Sequence, residues 1–172
     1  IFKKYKIKVI EDAAEALGTF YNKKHAGTFG DLGIISFNGN KIISTGGGGI
    51  IITNNQKLGE RARHISKTAK LKNTWKFDFD QIGYNYRMPN INAAIGCSQF
   101  NKLKEILKKK RHLFKKYENI FKDDSDLIIF SENRLSKSNY WLQTLILENF
   151  SKGTKKKLLD YSNKRNLFLR PA

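Results

Sequence analysis

One lysine stands where chemistry could use it. Lys41 follows Ser36-Phe37-Asn38-Gly39-Asn40 and is followed by Ile42-Ile43-Ser44-Thr45 and the four glycines Gly46 to Gly49. The apolar run Leu32 to Phe37 predicts a buried strand, so Lys41 stands at its mouth, where a partly desolvated amine can serve as nucleophile or base. The same composition also fits a solvated turn lysine beside a flexible glycine linker. Asp12 is the second candidate. The apolar run Ile7 to Ile10 predicts a strand that delivers Glu11 and Asp12 at its C-terminal end, the end where α/β sheets bind ligands. Its plainer reading is a cap on the helical turn Ala13 to Leu17.

The elements that must position these two groups alternate between strand and helix. Ile1 to Lys6 reads as the end of a helix ahead of the first strand. Thr19 to Tyr21, the turn Asn22-Lys23-Lys24 and Gly27 read as a short hairpin with His25 exposed to solvent, closed by Gly27-Thr28-Phe29-Gly30-Asp31. Gly48 to Thr53 is a further buried strand. Asn54-Asn55 then signals a helix start, with Leu58, Ala62 and Ile65 at helical spacing. This alternation is an α/β signature. Lys67 to Asp80 has no periodicity and carries Trp75, Phe77 and Phe79 among charges, which predicts a long loop packed by aromatics or used at an interface. From Asn90 to Phe121 the spacing predicts one long amphipathic helix, bent near Gly96. Asp126 to Phe130 and Trp141 to Leu147 read as strands and Thr154 to Asn166 as a helix, making a small α+β unit from about Asp123.

Composition sets limits. The chain has 172 residues and a formal net charge of +18. That charge raises nucleic acid or an anionic surface as partner. The excess is nearly all lysine, however, with arginine only at positions 61, 63, 87, 111, 134, 165 and 170. Base readers and phosphate forks favour arginine, so no nucleic-acid partner is expected, although the field could still draw in an anionic nucleotide-linked substrate. No run is long enough to span a membrane and no leader pattern is visible, which predicts a cytoplasmic protein. Cys97 is the single cysteine, and His64 and His112 form no Cys/His cluster at ligand spacing, so no metal is expected. The four glycines lack the dinucleotide register and precede a strand.

Four stretches read together carry a resemblance. Glu11 to Gly18 (EDAAEALG), Gly27 to Asp31 (GTFGD), Ser36 to Lys41 (SFNGNK) and Gly83 to Gly96 (GYNYRMPNINAAIG) resemble, in that order and spacing, the DegT/DnrJ/EryC1/StrS family of sugar aminotransferases. The resemblance runs from about Val9 to Lys110; Ser138 to Leu147 and the closing Leu-Arg-Pro-Ala stretch still echo the family. It implies part of a fold-type I aminotransferase large domain, a mixed and mostly parallel sheet flanked by helices, over 1–89. A linking helix follows over 90–122, and part of a small α+β domain over 123–172.

The resemblance also implies pyridoxal 5′-phosphate as cofactor, with Lys41 as the Schiff-base lysine and Asp12 at the pyridinium nitrogen. Ser36 matches the family's phosphate-contacting hydroxyl, and Glu15 lies near the cofactor's phenolic oxygen. Asn85 and Arg87 match positions that reach across a homodimer interface. A lysine at position 41 argues against the family's dehydratase branch. The implied reaction is transfer of an amino group, from L-glutamate, to a UDP-linked 4-keto-6-deoxy-N-acetylhexosamine. Because family chains are longer and supply further phosphate and ring contacts ahead of this stretch, the 172 residues alone are expected to be inactive. The alternative is a non-catalytic remnant that binds a partner.

Overall fold

The computed structural model describes residues 1–2, 4–72, 75–151 and 153–171. In chain order the elements are β1 (Ile10–Asp12), β2 (Phe20–Tyr21), β3 (Lys24–His25), β4 (Leu32–Ser36), β5 (Gly49–Ile52), α1 (Gln56–Ile65), α2 (Asn90–Asn101), α3 (Leu103–Phe121), β6 (Leu127–Ile129), β7 (Ser136–Lys137), β8 (Leu145–Leu147) and α4 (Thr154–Asn163). Three small sheets result among the described residues: β1-β4-β5, β3-β2-β7 and β6-β8. The α/β architecture expected from the sequence is therefore present, and the first sheet is mixed.

In that sheet β1 runs parallel to β4, with Asp12 opposite Ile34, while β4 runs antiparallel to β5, with Ile34 opposite Ile51. Side chains alternate across a strand, so Ile10, Asp12, Ile34, Ser36 and Ile51 share one face. Glu11, Gly33, Ile35 and Ile52 share the other. The second face is the buried one. Ile35 packs there with Ala13, Leu17, Phe37, Ile42 and Ile43, covered by Leu103, Ile106 and Leu107 of α3. Each fully buried Ile or Phe contributes roughly 1.5–3 kcal/mol.

The strand order is fixed by a clasp that the sequence does not advertise. The Glu11 carboxylate accepts the N–H groups of Gly27 (2.8 Å) and Gly30 (2.5 Å), folding the Gly27–Gly30 turn under the sheet. The turn sits so close that a Cβ on Gly33 would lie 1.9 Å from the Gly27 carbonyl oxygen, and Gly27 itself has φ +88°. Asp31 completes the corner: its carboxylate accepts the Val9 N–H at 2.9 Å and Lys8 Nζ at 2.9 Å. These two contacts, the backbone bond first, hold the Asp31 carboxyl below the usual aspartate range.

Several boundaries differ from the sequence expectation. Residues 1–2 and 4–6 form a turn rather than a helix end, closed by Lys4 N–H to Ile1 O and Tyr5 N–H to Phe2 O; Lys3 lies outside the described residues. The first ladder begins at Ile10, because the Val9 N–H and carbonyl are both taken by Asp31. His25 is half-buried: its Nε2 accepts the Gly18 N–H at 2.8 Å and its ring stands edge-on to Phe20. The hairpin turn itself is as expected, with Asn22 and Lys23 at φ 46° and 64°, the left-handed pair of a type I′ turn. Asn55 caps α1 by accepting the Leu58 N–H.

The long helix is two helices. It breaks at Lys102 rather than near Gly96. Gly96 stays helical because its bare Cα lets α2 pass over Thr45, where a Cβ would lie 3.0 Å from the threonine methyl. α3 then runs on as a spine: its first half covers the sheet, and its Phe114 joins Ile129 and Tyr140 in a second core. The strand expected from Trp141 shrinks to Leu145–Leu147. Ser136–Lys137 instead pairs with Phe20–Tyr21, which stitches the C-terminal part to the hairpin. The 67–80 segment is irregular as expected, carrying Trp75 at 91% and Phe77 at 79% exposure. Asn73 and Thr74 within it, and Ala172 of the closing stretch, lie outside the described residues.

Candidate active site

The loop that carries Lys41 is pinned at its neck. The Phe37 N–H donates to Gly48 O and the Thr45 N–H to Phe37 O, both near 3 Å. Thr45 is 2% exposed, and Asn92 of α2 donates from Nδ2 to its carbonyl at 2.6 Å. Ile42 and Ile43, the next two residues after the lysine, are buried in the core. Backbone motion at Lys41 would therefore cost core packing. Gly46 and Gly48 turn the chain back to β5 with φ of 80° and 92°, a conformation that other residues adopt only with strain.

Four of the sequence-predicted residues lie at or just beyond this end of the sheet. Lys41 Nζ donates to Glu15 Oε1 at 2.9 Å, with the lysine side chain 14% and the glutamate 55% exposed. Asp12 ends β1 on the open face and accepts the Ala14 N–H at 3.1 Å. That bond meets the capping expectation, yet Ala13 to Leu17 forms turns rather than a helix, so the second carboxylate oxygen is not spent on a helix terminus. Ser36 lies on the same face of β4, its Oγ accepting the Asn38 N–H. A carboxylate and a hydroxyl thus share the open face, and the Lys41–Glu15 pair stands on the loops that leave this rim. Asn85 and Arg87 are instead on the exposed stretch between the loop and α2, where Asn85 bridges to Lys67.

A further group comes from far along the chain. The Trp141 ring covers Lys41, with Nζ 4.4 Å from the ring centroid, and the indole N–H donates to Asn40 O at 2.6 Å. Asn139, 4% exposed, donates both amide hydrogens, to Glu15 O at 2.7 Å and to Leu17 O at 3.0 Å. Behind this corner Arg111 grips Glu132 with both terminal nitrogens, and Glu132 also accepts the Ser138 N–H. Arg111 holds the Glu132 carboxyl below the usual glutamate range, while burial pushes the Tyr140 phenol up. Sequence reading missed Trp141 as a neighbour of Lys41. A hundred residues separate the two, and the only signal was the Ser138-Asn139-Tyr140-Trp141 echo of the family.

The profile of the DegT/DnrJ/EryC1/StrS aminotransferase family matches residues 1–171. The chain belongs to that family. EpsN of Bacillus subtilis (strain 168), provisionally named a pyridoxal phosphate-dependent aminotransferase, is 43% identical over 145 residues, covering 84% of this chain and 37% of EpsN. GDP-perosamine synthase of Escherichia coli O157:H7 is 40% identical over 139 residues, covering 80% and 37% respectively. Among solved structures, Helicobacter pylori PseC, an aminotransferase involved in the biosynthesis of pseudoaminic acid, superposes with TM-score 0.90 at 28% identity, over 95% of this chain and 44% of PseC. An E. coli GDP-4-keto-6-deoxy-D-mannose-3-dehydratase with bound hydrated PLP superposes with TM-score 0.88 at 26% identity, over 99% and 47%. The chain spans less than half the length of these DegT-family relatives.

Proposed function

We propose that these residues are the lysine-bearing part of an aminotransferase that uses pyridoxal 5′-phosphate to move an amino group from L-glutamate to the 4-keto carbon of a nucleotide-linked deoxysugar. The observation that supports this best is the juxtaposition at one sheet end of Lys41, Glu15, Asp12 and Ser36. The donor set fits the cofactor: an amine for its aldehyde, a carboxylate for its ring nitrogen, a hydroxyl for its phosphate. Bound there, pyridoxal phosphate supplies an electron sink for the carbon that gives up or gains a proton.

The residues' own tasks follow from their chemistry. Asp12 holds a proton on the ring nitrogen by charge. Ser36 Oγ and the backbone exposed by the glycines after Lys41 hold the phosphate. Lys41 Nζ is the base that moves the proton, and Glu15 accepts its N–H so that the amine stays aimed while unattached. A lysine at position 41 supports amino transfer over dehydration. Names among the relatives point to nucleotide-linked sugars, and the Glu11–Gly18 and Ser36–Lys41 motifs favour the UDP-linked 4-keto-6-deoxy-N-acetylhexosamine class. Asn85 and Arg87, exposed within one chain, are read as serving the site of a second copy in a homodimer working in the cytoplasm.

The test is amination itself. Full-length protein carrying this stretch, given pyridoxal phosphate, glutamate and a UDP-linked 4-keto sugar, should release the amino sugar, and Lys41→Ala should not. A Lys41→Ala protein that still turns over would overturn the assignment. Absence of turnover in the unaltered protein would leave the binding-remnant reading standing.

A further inference from the structure

Between Ser138 and Trp141 the chain makes a corner held far more tightly than a surface loop requires. Tyr140 has φ 47°, a left-handed conformation that is strained for an aromatic residue and persists only where its surroundings over-determine it. Those surroundings are visible. The Tyr140 N–H donates to Ser138 Oγ at 3.0 Å, and the Trp141 N–H donates to Asn139 Oδ1 at 2.9 Å. Tyr140 Oη accepts the Glu132 N–H, the Tyr140 ring stacks on Phe114 at 4.0 Å, and Lys110 Nζ donates to Trp141 O at 3.0 Å. What the corner delivers is the indole of Trp141, set over the Lys41 ammonium and bonded to the carbonyl just before it. The same ring also meets the Arg170 guanidinium at 5.6 Å.

We propose that Trp141 is the positioning residue for Lys41, and that the Ser138–Trp141 corner exists to aim it. Strain stored at a buried tyrosine has no use in a plain surface turn, whereas a fixed ring face beside the amine confines it from above while Glu15 confines it from the side. Asn139 ties both devices together, since its amide holds the Glu15 carbonyl and its Oδ1 holds the Trp141 N–H. The C-terminal part thus reaches into the amine site, so that displacing this corner would release Lys41. The inference rests on the reading of Lys41 as the reactive amine.

The test reads the amine without the cofactor. In the full-length protein without cofactor, acylation of Lys41 by a small succinimidyl ester is measured by peptide mapping against the exposed Lys104 of α3. Trp141→Leu keeps bulk but removes the ring face, and should raise the Lys41-to-Lys104 rate ratio about threefold or more, the range of an exposed cation–π contact. Trp141→Phe keeps the face, loses the indole N–H, and should fall between. An unchanged ratio in Trp141→Leu, or equal rises in both variants, would overturn the proposal. Should either variant lose its fold by near-ultraviolet circular dichroism, changing Trp75 and any tryptophan outside this stretch to Phe leaves Trp141 as the lone indole. Lys41→Met in that background must then change its emission, and unchanged emission overturns the proposal. Failure of the functional reading shows elsewhere, as a borohydride-fixed pyridoxyl group on another lysine with these ratios unaffected.

Discussion

Each side chain at the Lys41 rim has a distinguishable task. Asp12→Asn keeps the shape and the bond from the Ala14 N–H but removes the charge opposite a protonated ring nitrogen. The expected result is a fall in kcat of several orders of magnitude with a much smaller loss of cofactor affinity. Near-unaltered steady-state rates would reduce Asp12 to its turn-capping bond. Glu132 gives a pH signature instead. Its carboxyl is held below the ordinary glutamate value of 4.5, by Arg111 first and then the Ser138 N–H, against a partial burial that raises it. A lowered folded value means stability that is present above 4.5 and lost as pH falls through the folded value. Thermal unfolding followed from pH 7 downward should therefore show an acid-side loss that shrinks in Arg111→Met. An identical profile in that variant would contradict the pairing.

At the scale of elements, the Glu11 clasp holds β1 and β4 side by side. A methyl group at Gly33 would meet the Gly27 carbonyl at 1.9 Å, so Gly33→Ala must push the turn off the sheet and break the Glu11 clasp. The expected cost is about 3 kcal/mol or more, seen as a lower denaturation midpoint, whereas Gly39→Ala, whose added carbon meets nothing within 4 Å, should cost little. Equal costs would mean the clasp holds nothing. Much of this framework was legible beforehand. The buried strand before Lys41, the hairpin turn and the α1 cap follow from local residue types, and Asp12, Ser36 and Lys41 could be ordered along the chain by motif spacing. Other features depended on partners distant in sequence. A glutamate bonded to glycines 16 and 19 residues on leaves no periodic trace. Ser136–Lys137 becomes a strand only because Phe20–Tyr21 lies beside it. The helix break fell at Lys102 because Gly96 is spent on a close pass over Thr45, where a hinge had been expected.

For the molecule as a whole, the sheet leaves one face bare. Ile10, Ile34 and Ile51 line it at 63%, 42% and 55% exposure, next to Asp12 and Ser36. Apolar surface of this kind drives association, so the 172-residue chain alone should bind a hydrophobic dye and grow in size with concentration by light scattering. A monodisperse, dye-silent monomer at high concentration would contradict that. The exposed placement of Asn85 and Arg87 gives the homodimer proposal its own experiment. Full-length Lys41→Ala and Arg87→Ala proteins, each inactive, should regain partial activity when mixed and reassembled, since one of two shared sites would keep both residues. No recovery in confirmed heterodimers would place Arg87 outside the partner's site.

The most direct measurement is to ask which amine meets the cofactor. Full-length protein is incubated with pyridoxal phosphate, reduced with borohydride and mapped by peptide mass spectrometry. The pyridoxyl group should sit on Lys41, between Glu15 and Trp141, and disappear in Lys41→Ala. A pyridoxyl group found on any other lysine, with Lys41 unmodified, would contradict the assignment of this site.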